Sequence, residues 1–358
     1  VYRPNDKIRL ESIFLTSSVE QGIDDTESSG EAFRFRLTAS PRKGRWHDVG
    51  IFYFGEEFDM TDMGYQMTND WIFAGTQNGL KLTDFKDSSI FLSNEFELGF
   101  GFEGNADLDK STTFTYLNFK STFKNTSFME FGNFHKAASK DFWITRGNKD
   151  ADFIKKPENY GTSLQYKGPS KNFFNYFLEI KREKGQQWGF SALGFSTSYT
   201  AKIDLALKDN LKFSLMHQHS DEDNWLNWEK DNLLSLYENK KQRTTVASLN
   251  WFGGDRHELR MKAQMVAFTA RNPSAYLGDS SGSLNSFDLD LPPLTLGDLA
   301  FQVRYRYEIL PLAYLYVVYS KGGRIVAYDE EDGLGEIYKR PWNDPQADTF
   351  TVKVRYRF

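Results

Sequence analysis

The sequence predicts an all-β fold: a transmembrane, antiparallel, up-and-down β-barrel of about sixteen strands with both termini periplasmic. Three observations lead there. Apolar and polar residues alternate with a period of two along much of the chain. Short turns alternate with longer connections. The chain also carries more aromatic surface than a protein this polar should need.

The excess is plain in the composition. The 358 residues include 32 Phe, 18 Tyr and 8 Trp, while 26% are charged and the mean hydropathy is -0.59. A sheet with lipid on one face and a wet lumen on the other reconciles the two, because each strand then needs both residue classes. No segment approaches the ~18 to 20 consecutive apolar residues of a membrane helix, which excludes a helical membrane protein. The absence of Cys excludes disulfides, thiolate metal sites and a Cys nucleophile. A net charge of -5 gives no reason to expect nucleic acid. The chain opens Val1-Tyr2-Arg3-Pro4-Asn5-Asp6 with no charged-then-apolar export segment. A protein of this type needs export, so residues 1–358 are expected to be one barrel domain, processed or cut from a longer precursor.

The strands follow from the alternation. Phe33, Phe35 and Leu37 oppose Arg34, Arg36 and Thr38. Leu92, Phe96, Leu98, Phe100 and Phe102 oppose Ser93, Glu95, Glu97, Gly99 and Gly101. Phe174, Tyr176, Leu178 and Ile180 oppose Asn175, Glu179 and Lys181. Leu259, Met261, Ala263 and Met265 oppose Glu258, Arg260, Lys262 and Gln264. Leu299, Phe301, Val303, Tyr305, Tyr307 and Ile309 oppose Gln302, Arg304, Arg306 and Glu308. The end of the chain is clearest: Phe350, Val352, Val354, Tyr356 and Phe358 share one face, and Thr351, Lys353, Arg355 and Arg357 the other. Three consecutive inward cations require a wet interior. Tyr356 and the aromatic last residue Phe358 resemble the signal read by the bacterial barrel-assembly machinery. Around 8–16, 71–84, 113–134 and 312–320 the pattern places a strand without its register.

Short turns are expected near 41–45, 86–88, 124–125, 169–171, 208–210, 253–255 and 310–311. Longer connections are expected near 17–28, 57–70, 104–110, 136–158, 184–187, 218–241, 270–296 and 322–346. Seven of one and eight of the other give sixteen strands, with the short turns periplasmic. The stretch from Trp225 to Leu236 has room for a short amphipathic helix on the outer rim. Gly322-Gly323 and Gly333–Gly335 point to a mobile last loop.

The inward charges are sorted. On closure, Arg34, Arg36, Arg260, Lys262, Arg304, Arg306, Lys353, Arg355 and Arg357 would line one wall, and Glu95, Glu97, Glu130, Glu179 and Asp204 the opposite one. Opposed walls would set a transverse field across a wet lumen and select polar solutes. The competing reading is that the same residues form ion-pair ladders that stiffen the wall. Acidic outer loops (Asp24-Asp25, Glu56-Glu57 with Asp59 and Asp62, Asp150 with Asp152, Asp221-Glu222-Asp223, Asp329-Glu330-Glu331-Asp332) lack calcium-loop spacing and read as solvated surface. His217, His219 and Asp221 have weak metal-ligand spacing. The string Gly99-Phe100-Gly101-Phe102-Glu103-Gly104 lies within a strand with no helix after it, so the phosphate-cradle reading fails. His135 is the least unsuitable general base, and no cofactor or catalytic residue is expected.

Two segments carry a family resemblance: Trp46-His47-Asp48-Val49-Gly50 through Phe58-Asp59 and Gly64-Tyr65, and Gln302-Val303-Arg304-Tyr305-Arg306-Tyr307-Glu308 through Leu315 to Ser320. They resemble the C-terminal barrel of large envelope proteins of uncharacterised function, in which the barrel follows a carbohydrate-binding family-9-like domain. The resemblance implies a missing N-terminal half and supplies no catalytic residues. The expected role is a charged-lumen conduit for polar solutes or a partner polypeptide in the outer membrane of a Gram-negative bacterium. The alternatives are a plugged barrel that anchors or presents a partner and, further off, a membrane hydrolase. Expected partners are outer-membrane lipid, the assembly machinery and the missing domain.

Overall fold

The computed structural model describes the chain except residues 22–25, 61–69, 109–110, 142–143, 145–152, 172, 186–192, 328–332 and 357–358. In chain order the strands are β1 (Tyr2–Asn5), β2 (Ile8–Gln21), β3 (Thr26–Arg42), β4 (Arg45–Phe54), β5 (Trp71–Leu82), β6 (Phe91–Gly104), β7 (Thr112–Phe123), β8 (Phe128–Lys136), β9 (Ser139–Asp141) and β10 (Ile154–Lys156). They continue with β11 (Asn159–Lys167), β12 (Phe174–Lys184), β13 (Phe195–Lys208), β14 (Leu211–Lys230), β15 (Leu233–Gly253), β16 (His257–Gly278), β17 (Leu284–Phe287), β18 (Leu294–Leu310), β19 (Ala313–Ala327) and β20 (Ala347–Arg355). One helix, α1 (Leu334–Asn343), precedes β20.

All the pairings are antiparallel, and β2 through β8 pair in sequence. β8 then pairs with β11, skipping the small β9–β10 hairpin, and the ladder runs on to β16, β18, β19 and β20. Sequence-adjacent strands need only a turn between them, so each pairing is local and the period-two pattern sets its register. The expected closing ladder between the last and first strands does not occur among the described residues. β1 folds back on the free edge of β2, with Tyr2 opposite Leu10 and Asn5 opposite Ile8, and β20 pairs with β19 alone.

Opposed residues share a face, so each row across the ladders reads as one side of the sheet. Phe96, Phe119, Phe131, Leu164, Ile180 and Tyr199 form one such row, crossing β6, β7, β8, β11, β12 and β13. The next row, on the opposite side, is Lys81, Glu95, Lys120, Glu130, Gln165 and Glu179. Each dipeptide thus puts one residue on an apolar face and one on a charged face. On the charged face several glycines lie under rings from the neighbouring strand: Gly79 beneath Trp46, Gly99 beneath Tyr116 and Gly101 beneath Phe114. The missing Cβ lets the ring lie flat on the backbone it shields.

Two expectations about loops change. The stretch 218–241 is strand rather than helix: β14 and β15 run 20 and 21 residues and turn only at Asp231-Asn232. Trp225, Leu226, Trp228, Leu234 and Leu236 favour it, because they pair across the hairpin, and Leu226 and Leu234 bury with Ile144 and Ile154. A helix forms instead within 322–346, where Gly322 and Gly323 belong to β19. α1 lies on the apolar face of the sheet. Gly297 permits it, because a side chain there would strike Ile337 and Pro341. Leu299 is left 3% exposed, and Trp342 meets Phe301 edge-on at 5.3 Å. The β16–β17 turn is closed by Asp279, which accepts the N–H groups of Ser281 and Ser283, the Ser281 hydroxyl and the Asn285 amide. These donors hold its carboxyl well below the usual carboxylate range.

Two predictions follow from this packing. Gly79→Val should destabilise the sheet by about 1–3 kcal/mol through overpacking, and adding Trp46→Ala should recover much of the loss. Urea midpoints of the two variants in lipid decide it, and strictly additive losses would refute the ring-on-glycine account. Because Asp279 is depressed when folded, its contribution is present above the unfolded pKa of ~3.9 and is lost only as pH falls through the lower folded value. Amide exchange at residues 281–287 should therefore stay slow at pH 4 and become fast in Asp279→Ala at neutral pH.

Candidate functional site: the charged face

The charged face is built by every strand of the meander, so its chemistry depends on which charges the register brings side by side. In the row of β5 to β12, Lys81 is 3.2 Å from Glu95, Lys120 is 3.3 Å from Glu130, and the Gln165 amide donates to Glu179 at 2.8 Å. Asp204 takes Lys202 at 3.1 Å and the Ser214 hydroxyl at 2.6 Å. The expected acidic wall therefore carries its own cations. Glu97 has a long contact from the Asn118 amide at 3.4 Å, and among the described residues neither it nor Glu179 has a cation within ion-pair reach.

The expected basic wall is likewise partly matched. Arg36 and the Thr38 hydroxyl share Asp48 at 2.8 and 2.9 Å, and Arg34 is 3.9 Å from Glu11. On β16 the buried carboxylate of Glu258 takes Arg260 and also Arg306, the latter at 2.9 Å. Arg304 and Arg306 lie over the rings of Tyr316 and Tyr314, each at 5.3 Å. Among the described residues, Lys262, Arg304, Lys353 and Arg355 have no carboxylate within ion-pair reach. They cluster because the register sets Arg260 opposite Arg304, and Arg306 in one row with Tyr316 and Lys353. Arg357 and Phe358 lie outside the described residues, and Tyr356 is half exposed. Local pairing thus neutralises much of both walls and leaves a residue of four cations near the chain's end.

Sequence reasoning missed an aromatic track on the same face. Phe58, Phe54, Trp71, Phe73 and Phe114 follow one another with ring centroids 5.6–5.9 Å apart, and Phe52 joins Phe73 at 5.6 Å. Arg34 sits over Phe52 at 5.1 Å. Phe58 is 2% exposed, because the chain after β4 turns back over Gly30 and Asp59 bonds to Ser17. The available signal was Phe52, Phe54, Trp71 and Phe73 at even spacing, but it was masked because these rings take the positions normally given to polar residues. Sequence also missed Lys240, whose ammonium bonds both oxygens of Glu222 at 2.9 Å and lies 4.9 Å from the Trp225 ring.

The remaining candidates separate. His217 bonds the Thr245 hydroxyl at 2.8 Å and His219 meets Asp221 at 3.2 Å, both on the side of the sheet that carries Leu215 and Met265. His135 faces Glu158 at 3.4 Å. Among the described residues no three His, Asp or Glu converge on a metal-sized site. Gly99 to Gly104 lie within β6. Asp24, Asp25, Asp62, Asp150, Asp152 and Asp329 to Asp332 lie outside the described residues.

No curated protein matches the chain. The siderophore receptor PirA from Acinetobacter baumannii superposes with a TM-score of 0.42 at 9% identity, covering 98% of this chain and 68% of that one. That likeness is too slight to carry an argument. The sequence itself is decisive about kinship: residues 2–358 match a domain of unknown function, DUF5916, and the chain belongs to that family.

Proposed function

We propose that the chain closes into a barrel in the outer membrane of a Gram-negative bacterium and conducts polar solutes, or a partner polypeptide, through a charged lumen. The observation that carries this reading is the apolar face. Phe350, Val352 and Val354 of β20 are 70%, 56% and 60% exposed, and Phe14, Leu98, Phe100 and Ile180 on other strands are exposed with them. Water-soluble monomers rarely leave so continuous an apolar surface uncovered, whereas lipid requires one. A bilayer also supplies the reason to close. Unpaired N–H and C=O groups along β20 and the first hairpin would cost several kcal/mol each in hydrocarbon, so the two edges join there. Sixteen strands then enclose a water-filled lumen unless loops fill it.

In this reading the short turns and both termini are periplasmic, and the assembly machinery recognises the terminal aromatic strand. The chain is a conduit and not an enzyme, and a sugar-binding domain ahead of it would deliver ligands to the mouth. The buried Phe58 supports a second reading, in which the β4–β5 connection narrows the lumen and the barrel anchors a partner.

Conductance of the purified chain in a planar bilayer separates the two. A steady conductance should lose anion preference in Arg304→Ala with Arg355→Ala, because these cations have no carboxylate to balance them. A silent barrel would reject the conduit and leave the anchor. Removing a matched cation should act differently. Lys240→Ala leaves the buried carboxylate of Glu222 without this cation and should cost about 3 kcal/mol, while Arg304→Ala changes stability little. Equal losses in a urea series would contradict this division.

A further inference from the structure

α1 and the strands beneath it border an open pocket of about 660 Å³ on the apolar side of the sheet. Its walls are Asn239, Lys241 and Arg243 of β15, Thr269 and Arg271 of β16, and the helix start Gly333–Gly335. Register puts these side chains outside the lumen of the proposed barrel. Lys241 is opposite Thr269 and Asn239 opposite Arg271, in the same column of alternate residues as Leu249, Trp251, Leu259 and Met261. Three cations therefore stand at the upper end of a face that is apolar lower down, with Asp221 opposite Lys241 and His219 opposite Arg243.

Their height gives them meaning. Counting along the strands from the Gly253–His257 turn, Arg243 and Ala267 are ten residues up, Lys241 and Thr269 twelve, and Arg271 fourteen. A tilted membrane strand needs ~9–11 residues to cross the hydrocarbon, so the pocket opens at the level where headgroups begin. Below it the surface turns apolar, with Met261, Met265 and Phe301 on the strands and Trp342 at the other end of α1. Lys241 and Arg243 have no ion-pair partner among the described residues. Gly333 to Gly335, at the start of α1, line the same space, where the helix dipole adds partial positive charge.

Resting on the membrane reading above, we infer that this pocket binds the phosphate of a lipid headgroup in the outer leaflet, with the acyl chains lying along α1 and β16–β18. Arg243 suits bidentate contact with phosphate oxygens, and Lys241 supplies a point charge. Phosphate is favoured over a carboxylate because its additional oxygens can engage Arg243, Lys241 and the helix start together.

The test uses the full chain in neutral detergent, titrated by native mass spectrometry with diphosphoryl lipid A and with the same lipid stripped of phosphate. The parent should prefer the phosphorylated lipid. Lys241→Gln with Arg243→Gln should weaken that binding at least about ten-fold, the loss expected for charge-assisted hydrogen bonds, with an unchanged melting temperature. Equal binding of the two lipids, or an unaffected variant, overturns the inference. So does competition by millimolar inorganic phosphate, which would make the ligand free phosphate. A variant that melts earlier yet binds lipid normally overturns it too, because the cations would then serve the chain's own acids, such as the run Asp329 to Asp332. Insertion into neutral phosphatidylcholine vesicles is measured in parallel. If the parent fails there, the membrane reading falls; if it inserts but shows no phosphate preference, only the headgroup site falls.

Discussion

Every feature of this protein depends on the antiparallel backbone ladder, in which neighbouring N–H and C=O groups satisfy one another and successive side chains must point to opposite faces. That constraint makes each strand a two-sided object. Glu95 cannot move to the charged face without Phe96 going to the apolar one, and the same coupling binds Lys120 to Phe119 and Glu130 to Phe131. A slip of one residue in any hairpin would put a row of carboxylates into the apolar surface. The register is therefore held by the faces rather than by individual contacts.

The charges follow from this arrangement. Neighbouring strands hold directly opposed side chains about 5 Å apart, close enough for a cation to find a carboxylate before it can act across a lumen. Lys81, Glu95, Lys120 and Glu130 alternate in sign along one row for that reason. Near the chain's end the register sets Arg260 opposite Arg304, and aromatic rings take the places where acids would stand. Where acids are scarce, the tyrosines screen the guanidinium groups by their π faces.

Much of this was legible in the sequence because the period of two is a property of the single strand. The alternation at 299–309 and 349–355 gave faces that the ladders reproduce, and the turns at Pro41 to Arg45 and Gly253 to Asp255 follow from local chemistry. What could not be read depends on neighbours. Arg36 finds Asp48, and Arg306 finds Glu258, only once cross-strand register is known. Trp225 to Leu236 allows either a helix or a strand until Ile144 and Ile154 are seen to bury against it. Ile337, Tyr338, Pro341 and Trp342 do have helical spacing, but Gly333, Gly335 and Pro341 disguise it as a loop. The failed ladder between β20 and β2 has the same character: the turn at Asn5 to Ile8 that lets β1 occupy that edge is short and unremarkable in sequence.

Within the main ladder from β2 to β20, leaving aside the short β9, β10 and β17, the strands also differ greatly in length, from 9 residues in β8, β11 and β20 to 20, 21 and 22 in β14, β15 and β16. At about 3.3 Å per residue, twelve extra residues raise one side by roughly 40 Å along the strand direction. In the proposed barrel the rim is therefore a slope with a tall screen on one flank. A large body arriving from that end would be turned away from the tall flank at β14 to β16, so the proposed barrel has a front and a back even though its backbone pattern repeats from strand to strand.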